Sequence, residues 1–473
     1  MTMNDWINND PQYFDMPIAE FRGNPLVEAL QPPPMNNDEA LLRLQRPPAF
    51  DENERGLPAC YRALLPARLL NFMFPTSQQV RLLQRIYGQI INGYRKSNPL
   101  TPDGQRRLHG NGNVPAVPMP CNISFLTGLS GMGKSAVIRS IMKAIGKPVI
   151  KHSRYRGTVF TETQLLYLMR NVPDQCSAKA LCGSFGRVAD ALLGLPLYSK
   201  QFFNNKMTRT DYVNALGKMI INHHVGVLVI DEFQNLSLAK SGGKEELVAL
   251  IVNLRDELGI PIVLVGTYRA ASILKNDAST ARRLVEGGFH ELQRPADPSD
   301  ENWQALCEII FDYQWVLEPQ PLTDEFVEVL YRYSQGVTGI MLNLYVTAQT
   351  FAIEEGIEKI SPQLIQQVYK ERFRPLHHII NILSTNNVDL LSKYDDLYFN
   401  GRKELLTDPL QSRLEVVRDE MQRQMENQIG LLEPTGKKTA KPRSDHAKKY
   451  PEDALRNLMR QGAQLSGDIF SQL

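Results

Sequence analysis

The middle of the chain alternates between short apolar runs and longer stretches that carry apolar residues at helical spacing. From residue 122 to about residue 290, this alternation is typical of a mostly parallel sheet covered by helices. The runs are short and apolar because parallel strands are buried on both faces. We expect strands at Asn122–Thr127, Pro148–His152, Gln164–Met169, Gly226–Ile230 and Pro261–Gly266.

The regions on either side of this core have different patterns. Helical spacing predicts a helix over residues 77–95, and a Pro- and Gly-rich loop follows over 99–120. From about residue 300 to 370 only helical periodicity occurs, which indicates a small helical lid. We therefore expect a proline-rich arm (1–75), a helical segment with a loop (76–120), a core (121–295), a lid (296–375) and a C-terminal extension (376–473).

Both ends of the chain are polar, and each has two interpretations. The arm is acidic and punctuated by prolines, so it is either a surface that docks a partner or a leader without fixed structure. The extension contains a lysine-rich segment, 433–451, which predicts a flexible basic linker. Helical spacing returns over 452–470, which predicts either a short docking helix or part of a disordered tail.

Composition excludes several classes of protein. Apolar residues make up 42% and charged residues 22% of the chain, a balance typical of globular proteins. The five cysteines form no CxxC pair, so they indicate neither a zinc site nor a disulfide framework. No apolar run reaches the roughly 20 residues of a membrane span, and we expect a cytoplasmic protein without a membrane partner. Because the net charge is only +2, any surface for nucleic acid must be local.

One glycine-rich segment carries a phosphate-binding motif. Residues 128–135 read Gly-Leu-Ser-Gly-Met-Gly-Lys-Ser, a complete GxxxxGK[ST] between an apolar strand and a helical run. Such glycines let backbone N–H groups curl around phosphate oxygens at a helix N-terminus. We expect Lys134 to reach the β- and γ-phosphates of ATP and Ser135 to bind Mg²⁺. The predicted nucleotide-binding residues are Gly128, Ser130, Gly131, Met132, Gly133, Lys134, Ser135, Ala136 and Asp231.

A second motif supplies carboxylates about one hundred residues later. The apolar strand that begins at Gly226 ends in Asp231 and Glu232. We expect Asp231 to hold Mg²⁺ and Glu232 to polarise the attacking water, which favours hydrolysis over simple nucleotide binding. Thr267 ends the next strand, where it is either a sensor of the γ-phosphate or an ordinary strand-end threonine.

Two arginines complete the predicted catalytic set. Arg282 and Arg283 end a helical stretch, where one of them could stabilise the γ-phosphate of a neighbouring subunit, or both could be solvated surface residues. Together, these features predict an α/β fold of the AAA+ kind. It has a P-loop ATPase core with a parallel sheet sandwiched by helices, a small helical lid, and N- and C-terminal extensions.

The chain also resembles a known family over roughly residues 74–370. The resemblance rests on the motifs Pro148-Val-Ile-Lys-His152, Arg154-Tyr-Arg156, Gln164-Leu-Leu-Tyr-Leu168, Val172–Cys182 with Phe185 and Asp190, Gln234, Leu236, Lys240-Ser-Gly-Gly243, Ala281-Arg-Arg283, Tyr313-Gln-Trp315 and Ser334-Gln-Gly336. On these residues it resembles the TnsC/TniB-type ATPase regulators of DNA transposition, in the branch that works with a TnsA-plus-TnsB transposase.

The resemblance implies a specific activity. Such proteins bind ATP between subunits and assemble on duplex DNA as rings or helical filaments, here a heptamer or similar. It implies recruitment by a target-selector protein or an RNA-guided complex, licensing of transposase and endonuclease subunits, and disassembly on hydrolysis. The DNA contacts that it implies map onto Lys151, Arg154, Arg156, Ser177 and Lys179. Arg187 lies two helical turns after Lys179, so the two can share a face.

One departure from the family pattern and two alternative functions remain. The lid segment Gln335–Gly339 lacks the arginine that many AAA+ proteins use to sense nucleotide from the lid. The same core could belong to a helicase loader or another DNA-remodelling ATPase, although the chain shows no aromatic-glycine pore motif beside Asp231. It could also belong to a signalling ATPase, but these carry a repeat-type sensor domain, which the sequence lacks.

Overall fold

The computed structural model describes residues 11–95, 97–109, 121–172, 177–202, 207–238, 243–271 and 278–385. The predicted basic linker 433–451 and docking helix 452–470 lie outside these ranges. So do Cys176, residues 110–120 of the predicted loop, and most of the Lys240–Gly243 motif.

The N-terminal arm packs against the rest of the molecule from residue 11 onward. Several of its apolar residues, among them Leu26, Leu44 and Leu69, are fully buried, so residues 11–75 are not a leader without fixed structure. Whether the arm also docks a partner stays a prediction. The predicted helix over 77–95 is confirmed, whereas a helix occupies part of the segment predicted as a loop. In chain order the helices are α1 (Pro25–Glu28), α2 (Asn37–Leu44), α3 (Ala59–Arg62), α4 (Ser77–Arg95) and α5 (Pro102–His109), with 3₁₀ turns at Glu52–Gly56 and Pro66–Asn71.

The core is a five-stranded parallel sheet with helices on both sides, as predicted. Its strands are β1 (Ile123–Gly128), β4 (Tyr167–Asn171), β5 (Val227–Asp231), β6 (Ile262–Val265) and β7 (Phe289–Leu292), in the order β4-β5-β6-β1-β7. The order around the phosphate-binding strand, with β6 on one side of β1 and β7 on the other, is that of the AAA+ core. The short edge strand β7 was not predicted from the sequence.

The core helices connect these strands in sequence. They are α6 (Lys134–Ile145), α7 (Ala178–Leu193), α8 (Tyr198–Phe202), α9 (Arg209–Asn222), α10 (Gly243–Leu258), α11 (Tyr268–Ala271) and α12 (Ala278–Leu284), with a 3₁₀ turn at Phe233–Leu238. Local signals fix several of their ends. Thr208 and Asp211 form a capping box at the start of α9, and Ser177 accepts a hydrogen bond from the N–H of Ala180 at the start of α7.

Two predicted strands do not belong where the sequence pattern put them. The segment expected at Pro148–His152 is β2 (Val149–Tyr155), and it pairs antiparallel with β3 (Thr158–Leu165) in a separate hairpin. The segment expected at Gln164–Met169 is divided between the end of β3 and the start of β4. The hairpin forms because Arg156 and Gly157 both have positive φ, 47° and 86°, as a two-residue type I′ turn requires.

The lid is a helical bundle. Its helices are α13 (Glu301–Phe311), α14 (Asp324–Ser334), α15 (Thr338–Glu354), α16 (Pro362–Arg372) and α17 (His377–Thr385), with a 3₁₀ turn at Arg374–Leu376. Trp303, Trp315 and Tyr345 fill its core. Among the described helices, none alone is long and apolar enough to span a membrane; only α14 and α15 together pass that test, and they are bent by 118°.

The arm is fastened to the lid by charged and aromatic contacts. Arg62 and Glu358 form two hydrogen bonds of 2.6 Å each, and the Arg62 side chain is only 3% exposed. The pKa of the Glu358 carboxyl is lowered, chiefly by these hydrogen bonds. Nearby, the indole N–H of Trp315 donates to Glu54 at 2.9 Å, and the ring of Phe50 meets Trp315 edge to face.

The Arg62–Glu358 pair predicts a stability effect. Arg62→Ala leaves Glu358 without its bidentate partner, so we expect the free energy of unfolding to fall by about 3 kcal/mol at pH 7. Because the folded-state pKa of Glu358 is lowered, this contribution is present above the unfolded pKa of roughly 4.3 and is lost as pH falls through the folded pKa. Chemical unfolding of the wild type and of Arg62→Ala, at pH 7 and at low pH, measures this difference in the free energy of unfolding.

The matched control is Arg106→Ala, which removes an exposed ion pair to Asp103 within α5. We expect little change in stability there, because solvent screens exposed pairs. If Arg62→Ala unfolded at the same denaturant concentration as Arg106→Ala, the arm would not be held to the lid by this pair.

Candidate functional site

The phosphate-binding loop connects the buried strand β1 to helix α6. Gly131 and Gly133 adopt positive φ of 85° and 79°, which residues with a Cβ rarely do. At Gly128 a Cβ would lie 2.7 Å from the backbone oxygen of Leu292, so no larger residue fits between β1 and β7 there. These glycines explain why the loop can turn sharply and start α6 at Lys134.

Lys134 and Ser135 begin the helix that follows. The Lys134 ammonium donates to the carbonyl oxygens of Gly128 and Leu129, at 3.0 and 2.7 Å, so its charge lies at the loop itself. Ser135 is half-buried and Ala136 is exposed in the first turn of α6, while Ser130 and Gly131 are exposed on the loop and Met132 is half-buried there. The N-terminus of α6 adds the positive end of its dipole to this region.

The predicted acids lie two strands away at the same edge of the sheet. Asp231 ends β5 and is 2% exposed, and one of its carboxylate oxygens accepts the N–H of Glu232 at 2.8 Å. Glu232 has a positive φ of 53°, an uncommon conformation for a residue with a long side chain. Such local backbone strain is concentrated at functional sites.

Thr267 joins the acids through a glutamine. It follows β6, and its backbone N–H donates to the side-chain oxygen of Gln234 at 3.1 Å. The Gln234 amide nitrogen donates in turn to Glu232. The structure therefore brings Thr267, Glu232 and Asp231 together at the carboxyl ends of β5 and β6, beside the loop after β1.

The lid contacts the phosphate-binding loop directly. The N–H of Gly339, in the first turn of α15, donates to the oxygen of Gly131 at 2.8 Å. A Cβ on Gly339 would lie 2.8 Å from that oxygen, so only glycine permits the approach. The turn before α15 also depends on backbone freedom, because Gln335 and Gly336 have φ of 51° and 75°.

A cleft of about 360 Å³ opens beside the loop, between core, arm and lid. Phe72 and Phe74 of the arm line one side, and Leu306 and Leu342 of the lid line another. An apolar wall next to a phosphate-binding loop suits a nucleotide base. The arm's contribution was not predicted from the sequence, because no motif links residues 70–79 to the loop.

Arg294 is a second residue that sequence analysis missed. It lies just after β7, lines the same cleft, and donates to the oxygens of Gln335 and Leu383 at 3.0 Å each. An arginine therefore does lie at the cleft and contacts the lid. It comes from the segment that connects the core to the lid, and not from Gln335–Gly339. The sequence feature that could have indicated Arg294 is an arginine in the segment that joins the sheet to the lid.

Arg282 and Arg283 differ in their surroundings. Both are exposed on α12, and Arg283 lies 3.8 Å from Asp256. Within the described residues, Arg282 has no ion-pair partner. Of the two predicted arginines, Arg282 is thus the one that presents an unpaired cation at the surface.

The predicted DNA contacts on the β2–β3 hairpin lie on its exposed face. Lys151 and Arg154 are exposed there, and the strand register pairs Lys151 with Thr163 and Arg154 with Val159. Paired residues of antiparallel strands point to the same side, so Thr163 accompanies Lys151. A hydroxyl there was not predicted from the sequence.

Arg156 has a different environment, because the arm covers the other face of the hairpin. Its guanidinium donates to the fully buried Glu28 at 3.0 Å and to Asp15 at 3.2 Å. Glu28 also accepts from Tyr155 at 2.6 Å, and burial together with Glu28 raises the pKa of that tyrosine. The pKa of Arg156 is raised by the same carboxylate.

The remaining predicted contacts lie at the start of α7. Ser177 caps the helix, and the Lys179 ammonium lies over the ring of Tyr212 at 5.2 Å. Lys179 and Arg187 line one shallow depression, which confirms that they share a face. Asp190 fixes the adjacent corner, because it accepts the backbone N–H groups of residues 197–199 at 2.7 to 3.0 Å.

These residues fit a magnesium-bound nucleoside triphosphate. The glycine cradle admits backbone donors, Lys134 supplies a cation, and the oxygens of Ser135 and Asp231 are ligands that Mg²⁺ prefers. Among the described residues, no cluster of three or more His, Cys, Asp or Glu side chains is arranged to hold a metal ion.

Part of the sequence matches a known protein family. Residues 113–293 match the family described as bacterial TniB protein. No curated protein matches the sequence. Similar solved structures include a Walker-type ATPase of Pyrococcus abyssi, with 16% identity and a TM-score of 0.36 over 56% of this chain and 70% of that one.

Two further similar structures are Cdc6p from Pyrobaculum aerophilum and Drosophila ORC bound to DNA. The first has 14% identity and a TM-score of 0.39 over 62% of this chain and 66% of that one. The second has 13% identity and a TM-score of 0.37 over 81% of this chain and 74% of that one. Because these TM-scores are below 0.5, the fold assignment depends on the sheet order and the phosphate-binding loop. Residues 113–293 are therefore similar to the TniB family, within a chain whose core has the α/β fold of an AAA+ P-loop ATPase.

Proposed function

We propose that the protein is an ATP-dependent, DNA-binding regulator of transposition. The observation that carries the proposal is that a complete phosphate-binding loop and an acid pair meet at one sheet edge within the segment that matches TniB. In this proposal the protein assembles on duplex target DNA as a ring or helical filament. It links a target selector, either a protein or an RNA-guided complex, to transposase and endonuclease subunits.

Hydrolysis is assigned to the residues at the ends of β1, β5 and β6. Lys134 binds the β- and γ-phosphates, and Ser135 and Asp231 hold Mg²⁺, which would neutralise phosphate charge. Glu232 orients and deprotonates the attacking water, and Thr267 responds to the γ-phosphate. Because ATP favours the assembly and its hydrolysis removes the γ-phosphate, turnover would release subunits from DNA.

DNA binding is assigned to the exposed face of the β2–β3 hairpin and to the start of α7. Lys151 and Arg154 contact phosphates, with Ser177 and Lys179 as a second group. Arg156 stays a predicted contact, although Glu28 engages it in the structure. A chain with a net charge of +2 can bind DNA in this way, because assembly multiplies a few phosphate contacts per subunit.

Glu232→Gln tests the hydrolysis assignment. The amide cannot accept a proton from water, so we expect the ATPase rate to fall at least about 100-fold while ATP binding is retained. Phosphate release and nucleotide binding are measured on the same preparation. Turnover close to the wild-type rate would contradict the role of Glu232.

Arg282→Ala tests assembly through a shared site. We expect it to lower turnover about 1000-fold, because an arginine supplied by a neighbouring subunit stabilises the charge of the transferred phosphoryl group. Arg283→Ala should retain most of the activity, since Arg283 faces Asp256. The opposite ranking would assign the role to Arg283.

A mixing experiment shows whether Arg282 acts on the neighbouring subunit. The Arg282→Ala subunit keeps its own Glu232, and the Glu232→Gln subunit keeps its Arg282. Mixed together, the two inactive variants should therefore recover part of the ATPase activity. No recovery, with both variants still binding ATP, would indicate that Arg282 acts within its own subunit.

A Lys151→Ala/Arg154→Ala double variant tests the hairpin. Losing two phosphate contacts should weaken binding to duplex DNA and lower the slope of log affinity against log salt by about 2. The control, Lys359→Ala/Lys370→Ala, removes two exposed lysines from the lid and should keep the wild-type slope. Equal slopes for the two double variants would place the DNA elsewhere.

A further inference from the structure

Gln234 contacts both the proposed base and the end of β6. Its amide nitrogen donates to one carboxylate oxygen, Oε2, of Glu232. Its amide oxygen accepts the backbone N–H of Thr267 at 3.1 Å. The glutamine therefore connects two residues of the nucleotide site that are 35 positions apart in the sequence.

The orientation of this amide is fixed by chemistry. If the amide were flipped, its oxygen would face the Glu232 carboxylate and its nitrogen would face the Thr267 N–H. One contact would then place two acceptors against each other, and the other contact would place two donors against each other. Only the observed orientation therefore satisfies both contacts. One rigid planar group thus joins the end of β6 to the carboxylate.

The backbone that carries Gln234 is held on both sides. Phe233 is fully buried and packs edge to face on Phe125 of β1, with ring centroids 5.8 Å apart. Asn235 donates to the oxygen of Val172, after β4, at 3.0 Å. The 3₁₀ turn between these anchors therefore presents the Gln234 side chain from a fixed point.

Gly266 keeps space for the same amide. A Cβ there would lie 3.0 Å from the Gln234 side-chain oxygen and 2.5 Å from the Cβ of Ala270. Since a side chain would push against the glutamine, the small residue before Thr267 is part of the same arrangement.

We propose that Gln234 is a positioning residue that couples nucleotide sensing at Thr267 to the orientation of Glu232. A glutamate side chain has three rotatable bonds, and a base that rotates freely faces the water only part of the time. The Gln234 amide holds Oε2, a contact that leaves Oε1 to accept the proton from water. When the γ-phosphate changes the position of Thr267, the amide reorients the carboxylate with it.

The inference rests on the proposed ATPase function, and Gln234→Ala tests it in steady-state hydrolysis with duplex DNA. We expect kcat to fall about 10- to 100-fold with KM and ATP affinity nearly unchanged, because the base is misplaced while the phosphate-binding loop is intact. Asn235→Ala is the matched control. It removes a different side-chain amide of the same 3₁₀ turn, the one that donates to the oxygen of Val172. It should therefore alter thermal stability more than kcat.

A double-mutant cycle separates positioning from a merely structural role. In the Glu232→Gln background, where no base remains to be oriented, Gln234→Ala should cause no further loss of kcat. Gln234→Asn should not restore the rate, because its shorter side chain cannot reach both partners.

Three outcomes would overturn the inference. They are a kcat for Gln234→Ala within twofold of wild type, a loss confined to KM, and an equal loss in the Glu232→Gln background. The proposed ATPase function itself would be contradicted if the wild-type protein did not hydrolyse ATP, or if Glu232→Gln left the hydrolysis unchanged. The role of Gln234 would then be contradicted as well.

Discussion

Parallel pairing of β1 with β6, and of β6 with β5, is the constraint on which the rest of the site depends. Carboxyl ends of parallel strands meet at one edge, so the loop after β1, the acids after β5 and the threonine after β6 converge there although they are far apart in sequence. Left-handed glycines then let the loop turn toward that edge. The 3₁₀ turn after β5 adds Gln234, which joins two of these three strand ends.

The arm connects the parts that surround this edge. Its first half buries Glu28 against the β2–β3 hairpin, and its second half holds the lid through Arg62 and Glu358. Between these attachments, Phe72 and Phe74 line the nucleotide cleft. One continuous segment of the chain therefore contacts the hairpin, the cleft and the lid. This arrangement is consistent with the proposed control of DNA binding by ATP.

Much of the core could be predicted from the sequence because its signals are local. A GxxxxGK[ST] loop between a strand and a helix specifies its own conformation, and apolar runs such as the one before Asp231 specify buried strands. The β2–β3 hairpin could not be separated from the parallel sheet in this way. Its alternation is interrupted by a bulge near Ser153, and its turn uses Arg156-Gly157 rather than a stronger turn pair. The structure brings Asp231, Glu232 and Thr267 together beside the phosphate-binding loop, and the roles of the predicted ATP-site residues stay predictions.

Contacts between distant segments were beyond the sequence analysis. The position of the arm depends on pairs such as Arg62–Glu358 and Tyr13–His152, which join residues more than a hundred positions apart. Arg294 and Gln234 were visible as residue types, but their partners depend on the way the chain folds over the sheet edge. The sequence pattern around 335–339 indicated only that an arginine was missing from the lid.

The central claim, a switch that assembles on DNA when it binds ATP, is tested most directly by electron microscopy with duplex DNA. The protein is imaged with ATP, with a non-hydrolysable analogue and with ADP. The account predicts rings or filaments on DNA with the two triphosphates and none with ADP. Monomers in every condition, or assemblies that form equally well with ADP, would contradict it.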